Sequence, residues 1–175
     1  MSLTACATSG QSAKSVGQTP SNSKHAQPLL AAPDATPFLA TANAKADVAE
    51  VLRVAQAENK LGLIVMGANW CSDSRALAGH FQTARFQSLL ADNYALTYVD
   101  MDDKSKNVDI AKSFGIELLE DDTIEGIPTV IVTSSSGQVL NLSDAPTWRN
   151  AEKRSSDEIY AYFVEYAGQN SAGKI

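Results

Sequence analysis

Residues 61–75 read LGLIVMGANWCSDSR, and a second motif further along the chain, residues 126–130, reads GIPTV. The run 61–66 is continuously apolar, which predicts a strand that is covered on both of its faces. Cys71 follows this run after a short connection, at a point where a helix is expected to begin. The two stretches together predict a reactive cysteine at a helix start and a proline-containing loop that precedes another strand.

A helix start has chemical consequences for Cys71. The first turn of a helix presents unpaired backbone N–H groups and the positive end of the helix dipole, which favour a thiolate over a thiol. Ser74, one turn further on, can donate its hydroxyl to the sulfur, and Arg75 can supply positive charge nearby. Asp73 acts in the opposite direction, because a carboxylate close to the sulfur disfavours a second negative charge. The sequence leaves open which influence dominates.

Length and charge limit the possible partners. The chain has 175 residues and a net charge of −6. This length fits one domain of about 100–150 residues together with a tail. The negative charge argues against nucleic acid or anionic lipid as a partner. No stretch in the body of the sequence is long and apolar enough to span a membrane.

The N-terminal part, residues 1–40, is predicted to be a disordered tether, and residues 41–175 are predicted to form the domain. From Ala7 to about Pro37 the chain is mostly Ala, Ser, Thr, Gln and Pro, which cannot bury enough apolar surface to offset the entropy lost on ordering. Residues 3–6, LTAC, resemble the remnant of a bacterial lipobox, in which the cysteine becomes the lipid-bearing N-terminus. We therefore expect a lipid on Cys6, although a chance cysteine near a terminus is the alternative. A lipoprotein domain would work outside the cytoplasm, where disulfide chemistry is available.

The body of the chain alternates between helical and strand patterns. The helix that starts at Cys71 is expected to bury Leu77, Phe81 and Ala84, with a break near residues 82–83. The other predicted elements are a helix over residues 47–60, a second helical segment over 86–90, a strand over 94–99, a helix over 108–114, a hairpin of 127–133 with 139–142, and a last helix with a Ser155–Glu158 capping box.

This order of elements, with Cys71 after the first strand and the GIPT motif before a later one, resembles the thioredoxin fold, an α/β fold with a central mixed β-sheet flanked by helices. The resemblance covers roughly residues 47–167 and is to bacterial extracytoplasmic modules of the thiol-disulfide interchange and disulfide-isomerase-like type. It implies that Cys71 is the catalytic nucleophile with Ser74 beside it, and that a cis peptide bond precedes Pro128 next to the cysteine. The substrate-contacting residues that it implies are Trp70, Ile127, Pro128 and Thr129. Without the resemblance, Pro128 would be interpreted as a proline that opens an edge strand.

Two positions depart from the pattern of dithiol thioredoxins. Ser74 stands where such proteins carry the second cysteine, and Val65 stands where they carry a buried aspartate that assists it. A lone thiol can attack a disulfide but cannot close an internal one. The sequence therefore predicts a monothiol site.

An acidic stretch over residues 117–125 has the character of an insertion just before the proline loop. Together with Asp100, Asp102 and Asp103 it offers oxygen ligands for a hard cation. A solvated acidic loop is the favoured interpretation, so no metal and no cofactor are predicted.

Two further side chains are expected to be structural. His80 lies too far along its helix from Cys71 to act as a base, and no Cys or His partner stands at metal-ligand spacing. Trp148 is expected to pack under the last helix, because a large aromatic side chain buries extensive surface.

Two functions remain open. In the favoured one, the protein is a monothiol thiol-disulfide exchange enzyme of isomerase or reductase type, with Cys71 as nucleophile. Its partners would be cysteine-containing extracytoplasmic proteins or a small thiol, in the bacterial periplasm, with membrane contact only through a lipid on Cys6. In the alternative, the protein is a binding module that holds extended segments without redox turnover.

Overall fold

A computed structural model of the protein describes residues 35–172, with side chains described for residues 35–169. Two short 3-10 helices, Ala145–Trp148 and Ala151–Lys153, precede the last α-helix. The regular elements, in chain order, are α1 (Ala44–Glu58), β1 (Leu61–Gly67), α2 (Ser72–Phe81), α3 (Ala84–Asn93), β2 (Tyr94–Asp100), α4 (Val108–Ser113), β3 (Thr129–Thr133) and α5 (Ser156–Ala172). No helix within residues 35–172 has both the length and the apolar character needed to cross a membrane.

The three strands form one mixed sheet in the order β2-β1-β3. β1 pairs in parallel with β2 and antiparallel with β3. A parallel pair needs a crossover connection, and α2 and α3 together provide it between β1 and β2. The predicted central mixed sheet flanked by helices is confirmed.

The core lies on both faces of the sheet. Every residue of β1 is buried. Leu63 and Val65 pack in the apolar cluster that includes α2, α3 and α5, whereas Ile64 and Met66 pack in the cluster that includes α1 and α4. Side chains of a strand alternate between its two faces, so a strand covered twice must be apolar throughout. This confirms the interpretation of the run 61–66.

Local signals place several helix ends as predicted. The helical segment is interrupted at residues 82–83, between α2 and α3. Ser155 Oγ accepts from the Glu158 N–H at 3.2 Å, and Glu158 Oε2 accepts from the Ser155 N–H at 2.7 Å, which is the predicted capping box. Trp148 is fully buried and stacks on Phe163 of α5 with ring centroids 5.5 Å apart, which confirms its predicted place under the last helix.

The predicted hairpin is only half formed. Residues 139–142 contribute one isolated bridge, Thr133 to Val139, instead of a regular strand. Next to it the Asn141 side chain replaces backbone: its Oδ1 accepts from the Val132 N–H, and its Nδ2 donates to the Val130 carbonyl, both at 2.8 Å. The predicted strand over 139–142 is therefore wrong, because a side-chain amide satisfies the edge of β3 at this point.

Two boundaries also differ from the predictions. Ala84 was expected to face inward but is exposed, since it opens α3 after the break. Residues 35–40 were assigned to the tether, yet Phe38 is only 2% exposed and belongs to the core. The packed region therefore begins before residue 41. The rest of the predicted tether, residues 1–34 with Cys6, lies outside the described residues.

Candidate active site

Cys71 is the N-cap residue of α2, one residue before the helix proper. Its N–H donates to the Ala68 carbonyl, and its carbonyl accepts from the Arg75 N–H, both at 3.1 Å. The half-buried Sγ lies 3.5 Å from the Ile127 carbonyl oxygen, to which the thiol can donate. The Cys71 sulfur thus stands at the positive end of α2 and faces the loop before β3.

The loop opposite the sulfur contains the GIPT motif. The Ile127–Pro128 peptide bond is cis. Ile127 is buried in the same apolar cluster against which Cys71 packs. Thr129 is fully buried, and its Oγ1 donates to the Gly126 carbonyl at 2.8 Å. The side chains of Ile127 and Thr129 therefore support the loop, and its Ile127 carbonyl accepts the hydrogen bond from the sulfur. Substrate contacts for Ile127, Pro128 and Thr129 stay a prediction.

The position of a second thiol is occupied by a buried hydroxyl. Ser74 is fully buried, and its Oγ accepts from the Ala68 N–H at 3.4 Å. Val65 is also fully buried and belongs to an apolar cluster. Cys71 is a free thiol. A dithiol site has a thiol at the position of Ser74 and a carboxylate at the position of Val65. Because Ser74 carries a hydroxyl, Cys71 has no internal disulfide partner there.

The two predicted modulating residues lie in the first turn of α2. Asp73 Oδ1 accepts from the Glu152 N–H at 2.9 Å, which attaches α2 to the 3-10 helix at residues 151–153. The sequence did not indicate this structural contact. Arg75 is half-buried in the same turn. Their influence on the sulfur stays a prediction.

Trp70 directly precedes Cys71 in the chain and is 61% exposed. Its indole N–H donates to the Asp102 carbonyl at 2.7 Å. The ring is therefore held on the loop that follows β2 and does not enter the core.

The acidic stretch 117–125 is attached beside that same loop. Ile124 is only 1% exposed, and its N–H donates to the Lys104 carbonyl at 3.4 Å. Glu125 forms an ion pair with Arg149 at 2.6 Å. In the part of the chain that the structure describes, no three His, Cys, Asp or Glu side chains are grouped to hold a metal ion.

The titratable rings near α2 and β2 are uncharged. Burial lowers the pKa of His80 below its usual 6.5, so the imidazole is neutral at neutral pH. Burial raises the pKa of Tyr98 to about 12, so the phenol keeps its proton. Neither residue adds charge to the site, in agreement with the structural role expected for His80.

The sequence did not predict that Phe38, near the end of the predicted tether, packs beside the loop that carries Cys71. The Phe38 N–H donates to Asn69 Oδ1 at 3.1 Å, and Asn69 Nδ2 donates to the Phe38 carbonyl at 2.7 Å. The Phe38 ring packs edge-on against Tyr98 and lies over Gly67, where a Cβ would stand 2.7 Å from it. Gly67 is thus needed for this close approach. The available signal was a large aromatic residue at the end of a polar segment.

The fold and the cysteine at a helix start opposite a cis-proline loop define a thioredoxin-like protein. A family model described as thioredoxin-like matches residues 43–134, and the chain belongs to this family. Among solved structures, the chain is similar to a disulphide isomerase from Xylella fastidiosa Temecula1, with 29% sequence identity and a TM-score of 0.67. The match covers 75% of this chain and 97% of the isomerase. A comparison with curated proteins gave no significant match.

Proposed function

We propose that the protein is a monothiol thiol-disulfide exchange enzyme of isomerase or reductase type that uses Cys71 as its nucleophile. The observation that carries the proposal is the position of the Cys71 sulfur: at the N-terminus of α2, 3.5 Å from the Ile127 carbonyl oxygen, with a buried serine in place of a second thiol. The similarity to a disulphide isomerase supports the same reaction class.

The chemistry balances without a cofactor. The Cys71 thiolate attacks one sulfur of a client disulfide, a new bond forms between the two sulfurs, and the other client sulfur leaves as a thiolate. In the isomerase mode, a thiolate of the client then attacks the mixed disulfide at the client sulfur and releases Cys71. The client disulfide has moved, and nothing has been oxidised or reduced overall. In the reductase mode, a small thiolate attacks the Cys71 sulfur of the mixed disulfide, and the remaining client sulfur leaves as a thiolate. A second small thiolate then attacks the small-thiol sulfur now bonded to Cys71 and releases Cys71, so that the client ends as a dithiol and the small thiol as its disulfide.

Scrambled ribonuclease provides the test, because it brings its own thiols and disulfides. The parent protein should restore ribonuclease activity at a rate well above background. The matched control, Cys71→Ala, should not. The variant Ser74→Cys should add a capacity for net oxidation, because a second thiol allows Cys71 to close an internal disulfide. That capacity should be incomplete, because Val65 stands where dithiol thioredoxins carry a buried aspartate, and it provides no carboxylate.

A binding module that holds clients is the second candidate. It is favoured by the buried hydroxyl of Ser74, because a mixed disulfide at Cys71 then has no internal thiol to release it. Equal, background-level ribonuclease recovery by the parent and Cys71→Ala, together with binding of unfolded peptide by both, would support this candidate against the enzyme.

The proposal places the protein in the bacterial periplasm, anchored through a lipid on Cys6. This part rests on the sequence LTAC at residues 3–6. When the chain is expressed behind a lipoprotein signal peptide, it should fractionate with membranes, and Cys6→Ser should shift it to the soluble periplasmic fraction. Membrane association of both proteins to the same extent would refute the anchor.

A further inference from the structure

The segment at residues 35–40 is attached directly to the loop that carries the nucleophile. Both backbone groups of Phe38 bond to the side chain of Asn69, at 3.1 and 2.7 Å. Asn69 lies two residues before Cys71. Two residues after Phe38, the Ala40 carbonyl accepts a hydrogen bond from Lys106 Nζ at 3.0 Å. The backbone on either side of Leu39 is therefore fixed by side chains of the domain.

Lys106 joins this segment to the loop that holds Trp70. Its ammonium also bonds to Asp100 Oδ2 at 2.7 Å, and Asp100 is almost completely buried. The carbonyl of Asp102, in the same loop, accepts from the Trp70 indole. A closed chain of contacts thus runs from the Leu39 segment through Asn69 to Trp70, and back through the loop after β2 and Lys106.

Two large apolar side chains on this chain of contacts are exposed to solvent. Phe38 points into the core, whereas Leu39 is 63% exposed, and Trp70 is 61% exposed. They are the two most exposed large apolar side chains in the described part of the protein. Leu39 also begins a tight turn, in which its carbonyl accepts from the Ala42 N–H at 3.1 Å. Exposed apolar groups on a fixed backbone lose little conformational entropy when they bind a partner.

We propose that Leu39 is a specificity-determining residue, which contacts an apolar residue next to the reacting cysteine of an extended client segment. This inference rests on the proposed exchange function. A client sulfur that bonds to Cys71 must bring its flanking residues over the surface around the start of α2. Trp70 directly precedes Cys71, and Leu39 belongs to the segment that is bonded to Asn69, two residues before Cys71. An apolar flank would bury surface of both side chains, and a polar flank would not.

The experiment measures how Cys71 chooses between two neutral peptides. Each contains one cysteine in a mixed disulfide with 5-thio-2-nitrobenzoate, flanked by leucines in one peptide and by serines in the other. The Cys71 thiolate attacks the peptide sulfur, the new disulfide joins protein and peptide, and nitrobenzoate thiolate leaves with the electron pair and is measured by its absorbance. All proteins carry Cys6→Ser, so that Cys71 is the sole thiol.

The parent should react about fivefold faster with the leucine-flanked peptide, as expected for burial of part of one apolar side chain in the bound state. Leu39→Ser should bring the two rates to within about twofold, while Leu39→Met should retain the preference. Val164→Ser is the control, because Val164 is an apolar residue 41% exposed on α5, and it should keep the parent ratio.

The outcomes separate the two proposals. A ratio in Leu39→Ser equal to that of the parent, in a protein with an unchanged melting temperature, would overturn the inference and leave the exchange function standing. Loss of the preference in Val164→Ser to the same extent as in Leu39→Ser would also overturn it. If Cys71 of the folded parent reacts with neither peptide, the exchange function itself is refuted, and the inference is refuted with it.

Discussion

The replacement Phe38→Ala tests whether the end of the predicted tether belongs to the domain. Phe38 is 2% exposed, packs edge-on against Tyr98 at 5.4 Å between ring centroids, and lies over Gly67. Truncation of a buried phenylalanine removes apolar burial and leaves a cavity, for about 3–5 kcal/mol. Because Phe38 belongs to a segment at the edge of the fold that can settle into the space, we expect about 3 kcal/mol, a large part of the stability of a typical domain.

Urea unfolding followed by tryptophan fluorescence measures this loss. With a slope of about 2 kcal/mol per molar urea, the midpoint should fall by about 1.5 M. Leu39→Ala is the matched control, because Leu39 is the adjacent residue but is mostly exposed, and its midpoint should stay within about 0.3 M of the parent. A Phe38→Ala midpoint as close to the parent as that of Leu39→Ala would refute the reasoning and return residues 35–40 to the tether.

Three further predictions concern Gly67, His80 and Asn141. Gly67→Ala should destabilise the protein by about 1–3 kcal/mol, because its Cβ would stand 2.6 Å from Ser74 Oγ and 2.7 Å from the Phe38 ring. In a urea-unfolding cycle, the double variant with Phe38→Ala should lose less than the sum of the single losses, and strict additivity would contradict the contact. Burial lowers the pKa of His80 below 6.5, so on acidification the unfolded chain takes up a proton before the folded protein does. The stability of the parent should therefore fall as the pH falls from about 7 to about 5. The urea midpoint of His80→Gln should fall less over this range, and an equal fall would exclude His80 as the cause. Asn141→Leu should lose about 2–4 kcal/mol and accelerate hydrogen exchange at the Val132 amide, because it removes the acceptor for that N–H and the donor to the Val130 carbonyl; an unchanged exchange rate would contradict the assigned bond.

The elements of the fold that could be predicted are those with a local signal. The run 61–66 indicated a doubly covered strand because alternate side chains face opposite sides, and all of them had to be apolar. The Ser155–Glu158 capping box and the break at residues 82–83 were likewise visible within a few positions. The strand predicted at 139–142 failed for the opposite reason. A side chain, Asn141, satisfies the edge of β3, and no local pattern distinguishes that asparagine from one in a loop.

For the site, the sequence by itself determined which reactive groups are available: one cysteine at a predicted helix start, a serine and a valine where dithiol thioredoxins carry a second thiol and a carboxylate, and a proline motif before a later strand. These are properties of residue type and spacing, so they do not depend on the packing. Only the tertiary structure decided what surrounds the sulfur.

The surrounding contacts join residues far apart in the chain: Phe38 pairs with Asn69 across 31 positions, Trp70 with Asp102 across 32, and Lys106 with Ala40 across 66. Each of these residues has many possible partners in the unfolded chain. The parallel pairing of β1 with β2 brings the ends of both strands to one edge of the sheet, and Gly67 leaves the space that Phe38 fills there. Which backbone groups then meet is set by three-dimensional packing, because a hydrogen bond forms between atoms that are close in space, whatever their separation in sequence.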